Sequence, residues 1–371
     1  MAFNFFKKKE DSSEKPSNSS SKYHDLTVKE IVQETSDAIT IVFEQPENKI
    51  DYNSGQFLTL IIPIDGKDVR RAYSLCSSKY VDDDLAVTVK RVEGGLMSNY
   101  LPDNLKVGDT VKVMEPMGTF TTQYDPHNKR HLIQFAGGSG ITPMLSIIKS
   151  TLTQEPNSIV SLIYCNRNID SIIFKEKLAE METNYVGRLH VIHVLDDAPM
   201  NWQGYSGLLS HEMLTTLFER IPDWGTDKTT YLMCGPEGMM KNVESLLDGM
   251  EIPKANVFKE SFVQGTIDKP AAGEEQSEDI AEREVTIIYD GEEHKVKVAP
   301  DTSILEAALD EDIDLPYSCQ SGLCTACRGK CISGKVKLDE EEGLSEAELN
   351  DGYVLTCVGH PLTDDVVIEI G

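Results

Sequence analysis

Beyond residue 25 the apolar positions fall into three successive regimes. From Leu26 to Met114 they come in short runs, Leu26–Glu34, Ala38–Phe43, Phe57–Ile62, Arg70–Leu75, Leu85–Arg91 and Thr110–Met114, punctuated by Gly, Pro, Asp and Asn. Alternation of apolar and polar residues predicts strands with one buried face, and the close punctuation predicts a small antiparallel barrel. From His131 the runs become continuously apolar. Leu132–Ala136, Ser158–Tyr164, Leu189–Leu195, Thr229–Met233 and Asn256–Phe262 read as strands, with a helix over Met144–Ser150 and another after residue 239. Strands alternating with helices predict a parallel α/β sheet. After an interruption at 265–283, Val285–Tyr289 and Lys295–Val298 predict a hairpin around Asp290-Gly291. Ser303–Leu309 then reads as a capped helix and Val366–Ile370 as a closing strand.

The expected organisation is therefore multidomain: a tail (1–24), an antiparallel β-barrel (25–125), an α/β parallel-sheet domain (126–264), an acidic linker (265–283) and a small α+β domain (284–371). A chain of 371 residues is too long for one core, which agrees with that division. The Ser- and Lys-rich stretch 1–24 reads as a disordered tail. A weak membrane or partner contact through Phe3, Phe5 and Phe6 beside Lys7, Lys8 and Lys9 is the alternative. The 265–283 stretch reads as a flexible tether that lets the last domain swing.

A formal net charge of −27 argues against nucleic acid and against anionic membrane surfaces. Eight cysteines with no export signal point to a reducing cytoplasm, and no apolar run reaches bilayer-spanning length. From Glu284 to Gly371 there are 6 Lys/Arg against 20 Asp/Glu, a net of −14 concentrated in Asp310–Asp312 and Asp339–Glu342. Such faces are usually just solvated, but they also suit steering toward a basic partner.

Chemistry concentrates in a few stretches. Cys319-Gln-Ser-Gly-Leu-Cys324-Thr-Ala-Cys327, answered by Cys357, has the C-x4-C-x2-C spacing of a [2Fe–2S] loop. Gly322 within it is free to take a positive φ and turn amides toward the cluster sulfurs. Zinc is the alternative, although Cys319 and Cys357 lack the C-x2-C partners it usually takes. Cys331 falls outside the spacing and reads as a bystander. In the barrel, Arg71-Ala-Tyr73-Ser74 supplies a phosphate clamp and a flat aromatic face. The run from Lys90 into Gly95-Leu96-Met97-Ser98 places backbone amides at a helix start, where they suit phosphate.

In the α/β domain, Gly137-Gly138-Ser139-Gly140-Ile141-Thr142-Pro143 joins a strand to a helix. Its glycines let the backbone approach a pyrophosphate, Thr142 is placed to cap, and Pro143 suits the first turn. A tight turn with no ligand is the plain alternative. Arg167, with Ser171 nearby, suits a 2′-phosphate and leans the reading toward NADPH over NADH; a solvated surface Arg is again the alternative.

Arg71-x-Tyr73-Ser74 followed by Gly95-x-x-Ser98 resembles the flavin-binding domain of the ferredoxin–NADP⁺ reductase family. The Cys234-Gly235-Pro236 turn and the Glu260-Ser261-Phe262 strand end extend the resemblance, and residues 284–371, with Leu355-Thr356-Cys357, look like the β-grasp domain of plant-type ferredoxins. The whole order resembles reductase components of phenylacetyl-CoA epoxidases and of other oxygenases. The resemblance implies FAD, with FMN as in phthalate-dioxygenase-type reductases as the alternative. It implies Arg71 and Ser98 on the phosphates, Tyr73 beside the flavin, and Ser74, Cys234 and Glu260 around the hydride-transfer site. Phe262 would lie near the flavin ring, and Gly235, Pro236 and Met239 on the nicotinamide side. The implied activity carries electrons from NAD(P)H through FAD to Cys319, Cys324, Cys327 and Cys357 and their [2Fe–2S] cluster. They then pass to a protein acceptor with a basic docking face: an oxygenase, epoxidase, desaturase or hydroxylase. A redox-sensing cluster protein and a zinc-stabilised interaction module are the readings from other classes. The ligand assignment predicts that Cys324→Ser abolishes the visible and EPR spectrum of the cluster while Cys331→Ser keeps it; equal bleaching in both would overturn the assignment.

Overall fold

The computed structural model describes residues 22–262 and 281–370, so the readings for the tail at 1–21 and the tether at 263–280 lie outside the described residues. The first unit is built of β1 (Tyr23–Thr35), β2 (Ala38–Phe43), β3 (Phe57–Ile64), β4 (Lys67–Ser74), β5 (Leu85–Lys90) and β6 (Thr110–Met114), with α1 (Leu96–Asn104) after β5. Its strands pair antiparallel in the order β4-β3-β6-β1-β2-β5, and a bridge from Leu75 to Val87 joins the two ends into a barrel. Alternate residues such as Val28, Ile41, Leu60, Val87 and Val113 fill the interior, which is what the period-two pattern demands.

The second unit holds β7 (His131–Gly137), α2 (Ile141–Gln154), β8 (Ile159–Asn166), α3 (Lys175–Asn184), β9 (Leu189–Leu195), β10 (Tyr205–Ser206), α4 (His211–Phe218), β11 (Thr229–Cys234), α5 (Glu237–Gly249) and β12 (Val257–Glu260). All six strands are parallel, in the order β10-β9-β8-β7-β11-β12. The sheet is apolar on both faces: Leu132 and Leu162 pack with Ile148 and Leu178 on one side, and Phe135 and Ile163 with Leu214 and Val243 on the other. The chain runs outward from β7 to β10, then returns to the other side of β7. Strand order therefore reverses between β7 and β11, the place where open α/β sheets leave a ligand crevice.

Two expectations are corrected here. The helix after the glycine turn begins at Ile141, three residues before Met144, and Thr142 is not its cap. A single 3₁₀ turn over Gly138–Gly140 runs straight into α2, so Gly140 takes the cap position without a side-chain bond, and Thr142 Oγ1 instead donates back to Ser139 O at 3.0 Å. Pro143 does sit in the first turn, where its missing N–H costs nothing.

The third unit is a β-grasp: β13 (Arg283–Tyr289), β14 (Glu292–Val298), α6 (Ile304–Asp310), β15 (Arg328–Ser333), β16 (Val336–Leu338), α7 (Glu346–Asn350), β17 (Tyr353–Leu355), β18 (Gly359–Pro361) and β19 (Val367–Ile370). The main sheet runs β14-β13-β19-β15-β17, with β13 and β19 parallel, and β16 pairs β18 separately. Asp290 and Gly291 both take positive φ (54° and 80°), the tight hairpin turn their dipeptide predicts. Strands β15 to β18, three to six residues each, carry too little alternation to have been predicted.

The interfaces differ in kind. Barrel and nucleotide unit share one apolar cluster, in which Ala38, Cys76 and Phe120 pack with α2 residues. A seam of buried hydroxyls backs it: Ser150 Oγ lies 2.5 Å from Ser54 Oγ and 2.7 Å from Ser78 Oγ, and Lys149 reaches Asp82 at 2.9 Å. The β-grasp core draws every member from residues 285–370. Among the described residues no helix is long and apolar enough to cross a membrane.

Candidate active site

The three units converge on one cavity of about 580 Å³. Arg71, Tyr73 and Ser74 enter it from β4, Lys90 from the end of β5 and Ser98 from α1. Ser139 and Thr142 come from the glycine turn, Glu260 and Phe262 from the end of β12, and Cys319 and Cys324 from the loop before β15. Parallel register explains the nucleotide side: Cys234 on β11 pairs with Ala136 on β7 and with Glu260 on β12, so the two turns and the carboxylate share one sheet edge.

That edge has no room for side chains. A Cβ on Gly140 would collide with the carbonyl oxygen of Cys234, and one on Gly235 would stand 2.8 Å from Gly137 N. Gly137 meets the Pro236 ring in the same way, and the buried Met239 packs beneath both turns. Here Gly137, Gly140 and Gly235 serve turn-on-turn contact, which sets Cys234 behind the cavity wall. Gly138 takes a positive φ (52°), and its carbonyl accepts from Tyr164 OH at 3.0 Å.

Glu260 is the most perturbed carboxyl on the wall. Burial pushes its carboxyl up to about 8, although Ser74 Oγ donates to Glu260 Oε2 at 3.2 Å and acts in the opposite direction. Part of its surface faces the open cavity, but protein atoms surround the carboxyl, and that burial leaves the neutral acid favoured. Cys234 is fully buried, and burial followed by the Glu260 charge pushes its thiol well up, so it stays protonated.

On the barrel side the donor set fits a dinucleotide phosphate. The first turn of α1 carries no acidic residue and no side-chain cap, and Val92 N–H donates to Ser98 Oγ at 3.3 Å. Leu96 is exposed, whereas Met97 is buried in the barrel core, so only its backbone is available to a ligand. Arg71 and Lys90 add two cations, Lys90 lying 3.8 Å from Asp37. Tyr73 pairs with Leu58 and sets its half-buried ring on the wall.

The four cysteines fit a thiolate-bound cluster. The Cys319 thiol lies near those of Cys324 and Cys357, and the Cys327 thiol near that of Cys357. Mutual contact draws Cys319 and Cys327 below the ordinary thiol range and pushes Cys324 and Cys357 above it, as sulfurs crowded around one small body do. Among the described residues no group of three such side chains stands at the spacing of a single metal ion. Gly322 takes the expected positive φ (74°). Cys327 and Cys357 lie beneath the cavity floor, tied by Thr356, whose N and Oγ1 each donate to Cys327 O at 3.1 Å. Cys331 points away, its thiol donating to Ser333 O at 3.2 Å.

Two chain segments, and one residue of the glycine turn, bear on the site and went unnoticed in the pattern. Gly343 N–H donates to Gly322 O at 2.9 Å and pins 340–343 against the cluster loop. Thr119 and Phe120 line the cavity after β6, and Ser139 lines it within the glycine turn. Their signal is only proximity in the fold. Arg167 and Ser171 are outside this cavity, at the end of β8. Ser171 is spent on a capping box with Asn168, and Asp197 N–H donates to Arg167 O at 2.7 Å, bringing Asp196 and Asp197 beside Arg167.

Comparison with known proteins agrees with this geometry. Family profiles match residues 24–122 (oxidoreductase FAD-binding domain), 135–245 (oxidoreductase NAD-binding domain) and 287–362 (2Fe-2S iron-sulfur cluster binding domain). One component of the 1,2-phenylacetyl-CoA epoxidase of Escherichia coli K12 is 36% identical over 94% of this chain and 97% of its own. The ferredoxin reductase component of the 3-ketosteroid-9-alpha-monooxygenase of Rhodococcus rhodochrous is 37% identical over 93% and 96%. The chain belongs to the ferredoxin–NADP⁺ reductase-type flavoproteins that carry a C-terminal [2Fe–2S] domain. Phthalate dioxygenase reductase shares the fold, with a TM-score of 0.57 at 22% identity over 94% of this chain and 98% of that one. This reductase is an NAD(P)H-dependent oxidoreductase of FAD, pyridine nucleotide and a [2Fe–2S] cluster.

Glu260 makes the site pH-sensitive in a definite direction. Because the folded state binds this proton more tightly, its contribution to stability is complete below the ordinary value of 4.5 and is lost as pH rises through about 8. Glu260→Gln should remove that part of the decline in thermal midpoint; an unchanged slope against pH would show the carboxyl ionised throughout.

Proposed function

We propose that this reductase delivers its electrons to the oxygenase component of a multicomponent system, with a phenylacetyl-CoA epoxidase as the first acceptor to try. One observation carries the reading: Arg71, Tyr73 and Ser74, the Glu260 carboxyl and the thiols Cys319 and Cys324 all line a single cavity. Two of the relatives are named as parts of an epoxidase and a monooxygenase, which supports an acceptor of that class. The acidic balance of Glu284–Gly371 supports an acceptor with a basic docking face. We take the barrel as 25–125, the nucleotide domain as 126–264 and the ferredoxin domain as 284–371, working in the cytoplasm.

When bound, FAD accepts electrons as a pair and the [2Fe–2S] centre takes them singly, chemistry that no side chain supplies. Arg71 and the amides from Gly95 to Ser98, with Lys90 beside them, hold the flavin phosphates. Tyr73 and Phe262 cover the ring. Ser74 orients Glu260, whose neutral carboxyl keeps a proton at the reacting face below about pH 8. The neutral Cys234 and the Gly235-Pro236 turn wall off the nicotinamide from water, with Met239 supporting them from below. The Gly137–Pro143 turn takes the nucleotide pyrophosphate at the start of α2. Cys319, Cys324, Cys327 and Cys357 ligate the cluster.

NADPH is our reading of the nucleotide, with Arg167 on the 2′-phosphate; Asp196 and Asp197 beside it keep the preference small. Anaerobic visible titration with NADPH and with NADH should show Arg167→Glu losing affinity for NADPH more than for NADH, by roughly tenfold for a single phosphate contact. An unaltered preference would remove Arg167 from the phosphate site. Product formation by a purified epoxidase or monooxygenase component, dependent on this reductase and on salt, tests the acceptor. Reduction of cytochrome c without delivery to any such component would overturn it.

A further inference from the structure

The contact between barrel and ferredoxin domain is small and polar. On the barrel stand Lys22, Tyr23 and Arg70; opposite them are Tyr289 and Asp290 in the β13–β14 turn, and Asp314 and Tyr317 between α6 and the first cluster cysteine. The Asp314 carboxylate accepts from Tyr23 OH at 2.7 Å through Oδ2 and from Arg70 Nη2 at 3.2 Å through Oδ1. Arg70 also lies over the Tyr317 ring at 4.2 Å, two residues before Cys319. Lys22 meets Asp290 at 2.7 Å and lies over Tyr289 at 3.9 Å.

Around these contacts the interface is not filled. A second cavity of about 320 Å³ separates the two units, with Lys22, Met114 and Met117 on one wall and Tyr289, Pro316 and Arg328 on the other. The ferredoxin core includes no barrel residue, whereas barrel and nucleotide unit share an apolar core. Exposed ion pairs contribute little and are screened by salt, so an interface of this composition is held by geometry rather than by burial.

We propose that Tyr23, Arg70, Asp314 and Tyr317 form a reversible clasp that positions the ferredoxin domain with Cys319 and Cys324 facing the flavin cavity. These are positioning residues for internal electron passage. Arg70 is largely enclosed and sits next to Arg71, so β4 fixes the clasp and the flavin clamp on one strand. Tyr317 does the same on the other side, fixing the start of the cluster loop. The proposal rests on reading the shared cavity as the flavin–cluster contact.

The test uses the full chain with flavin and cluster bound, as parent, Asp314→Lys, Arg70→Asp and the charge-swapped double variant. Asp314 is more than half exposed, so its substitution probes the clasp without burdening folding even if Arg70→Asp unsettles the barrel. Small-angle scattering at low salt should show a larger radius of gyration for Asp314→Lys than for the parent, and the parent should expand the same way at high salt. In single-turnover measurements flavin reduction by the nucleotide should be unchanged while cluster reduction slows by roughly tenfold. The double variant should recover part of both. Unchanged scattering and cluster reduction in Asp314→Lys, or a double variant that keeps the parent's flavin content yet is no better than Asp314→Lys, would overturn the clasp. The scattering result stands whatever fills the cavity, whereas failure of the flavin–cluster assignment would show separately as missing flavin or cluster absorbance.

Discussion

The site depends on a contact of backbone with backbone, where the Gly137–Gly140 turn lies against the Cys234–Pro236 turn with no space for a β-carbon at Gly140. It floors the crevice where strand order reverses, and it holds Cys234 and Glu260 in register on one edge. The glycine turn, Cys234 and Glu260 are then all referred to that edge. A side chain wedged between the turns would separate Glu260 from Ser74, and with it the nucleotide domain from β4.

The two interfaces match the demands of two kinds of transfer. Hydride passes only between atoms in near contact, about 3–3.5 Å apart and well aligned, so barrel and nucleotide unit must form one body. A shared apolar cluster and the Ser54–Ser150–Ser78 hydroxyl seam provide that. Single electrons tolerate a looser junction, and the ferredoxin domain is joined to the barrel by ion pairs, cation–π contacts and an unfilled cavity. Rigidity is placed where the chemistry is directional.

Pattern reading picked out residues that the fold brings to one cavity where a motif is continuous in sequence. Arg71, Tyr73 and Ser74 share a strand, and C-x4-C-x2-C compresses three cysteines into nine residues, so their spacing carries their geometry. It misjudged Thr142, because a 3₁₀ turn and an α-helix fuse over Gly138–Ile141 without any change in residue pattern. It did not find β15 to β18, since strands this short are held by their neighbours rather than by alternation. Gly343, Thr119 and Asp196 were invisible for a related reason: each acts across a contact with a distant segment.

What the amino-acid order determined alone was local: the period of each run, the turn at Asp290-Gly291, the cysteine spacing, the glycines of two strand–helix turns and the acidic balance of the last domain. Those properties depend on neighbours a few residues away, and backbone sterics and side-chain alternation suffice to produce them. Only the tertiary structure decided that Cys319 faces Ser74 and Glu260 across one cavity, that burial holds the Glu260 proton, and that Asp314 meets Arg70 and Tyr23. Such relations join residues hundreds of positions apart, and their energies arise from burial and close approach, which exist only once the chain has packed.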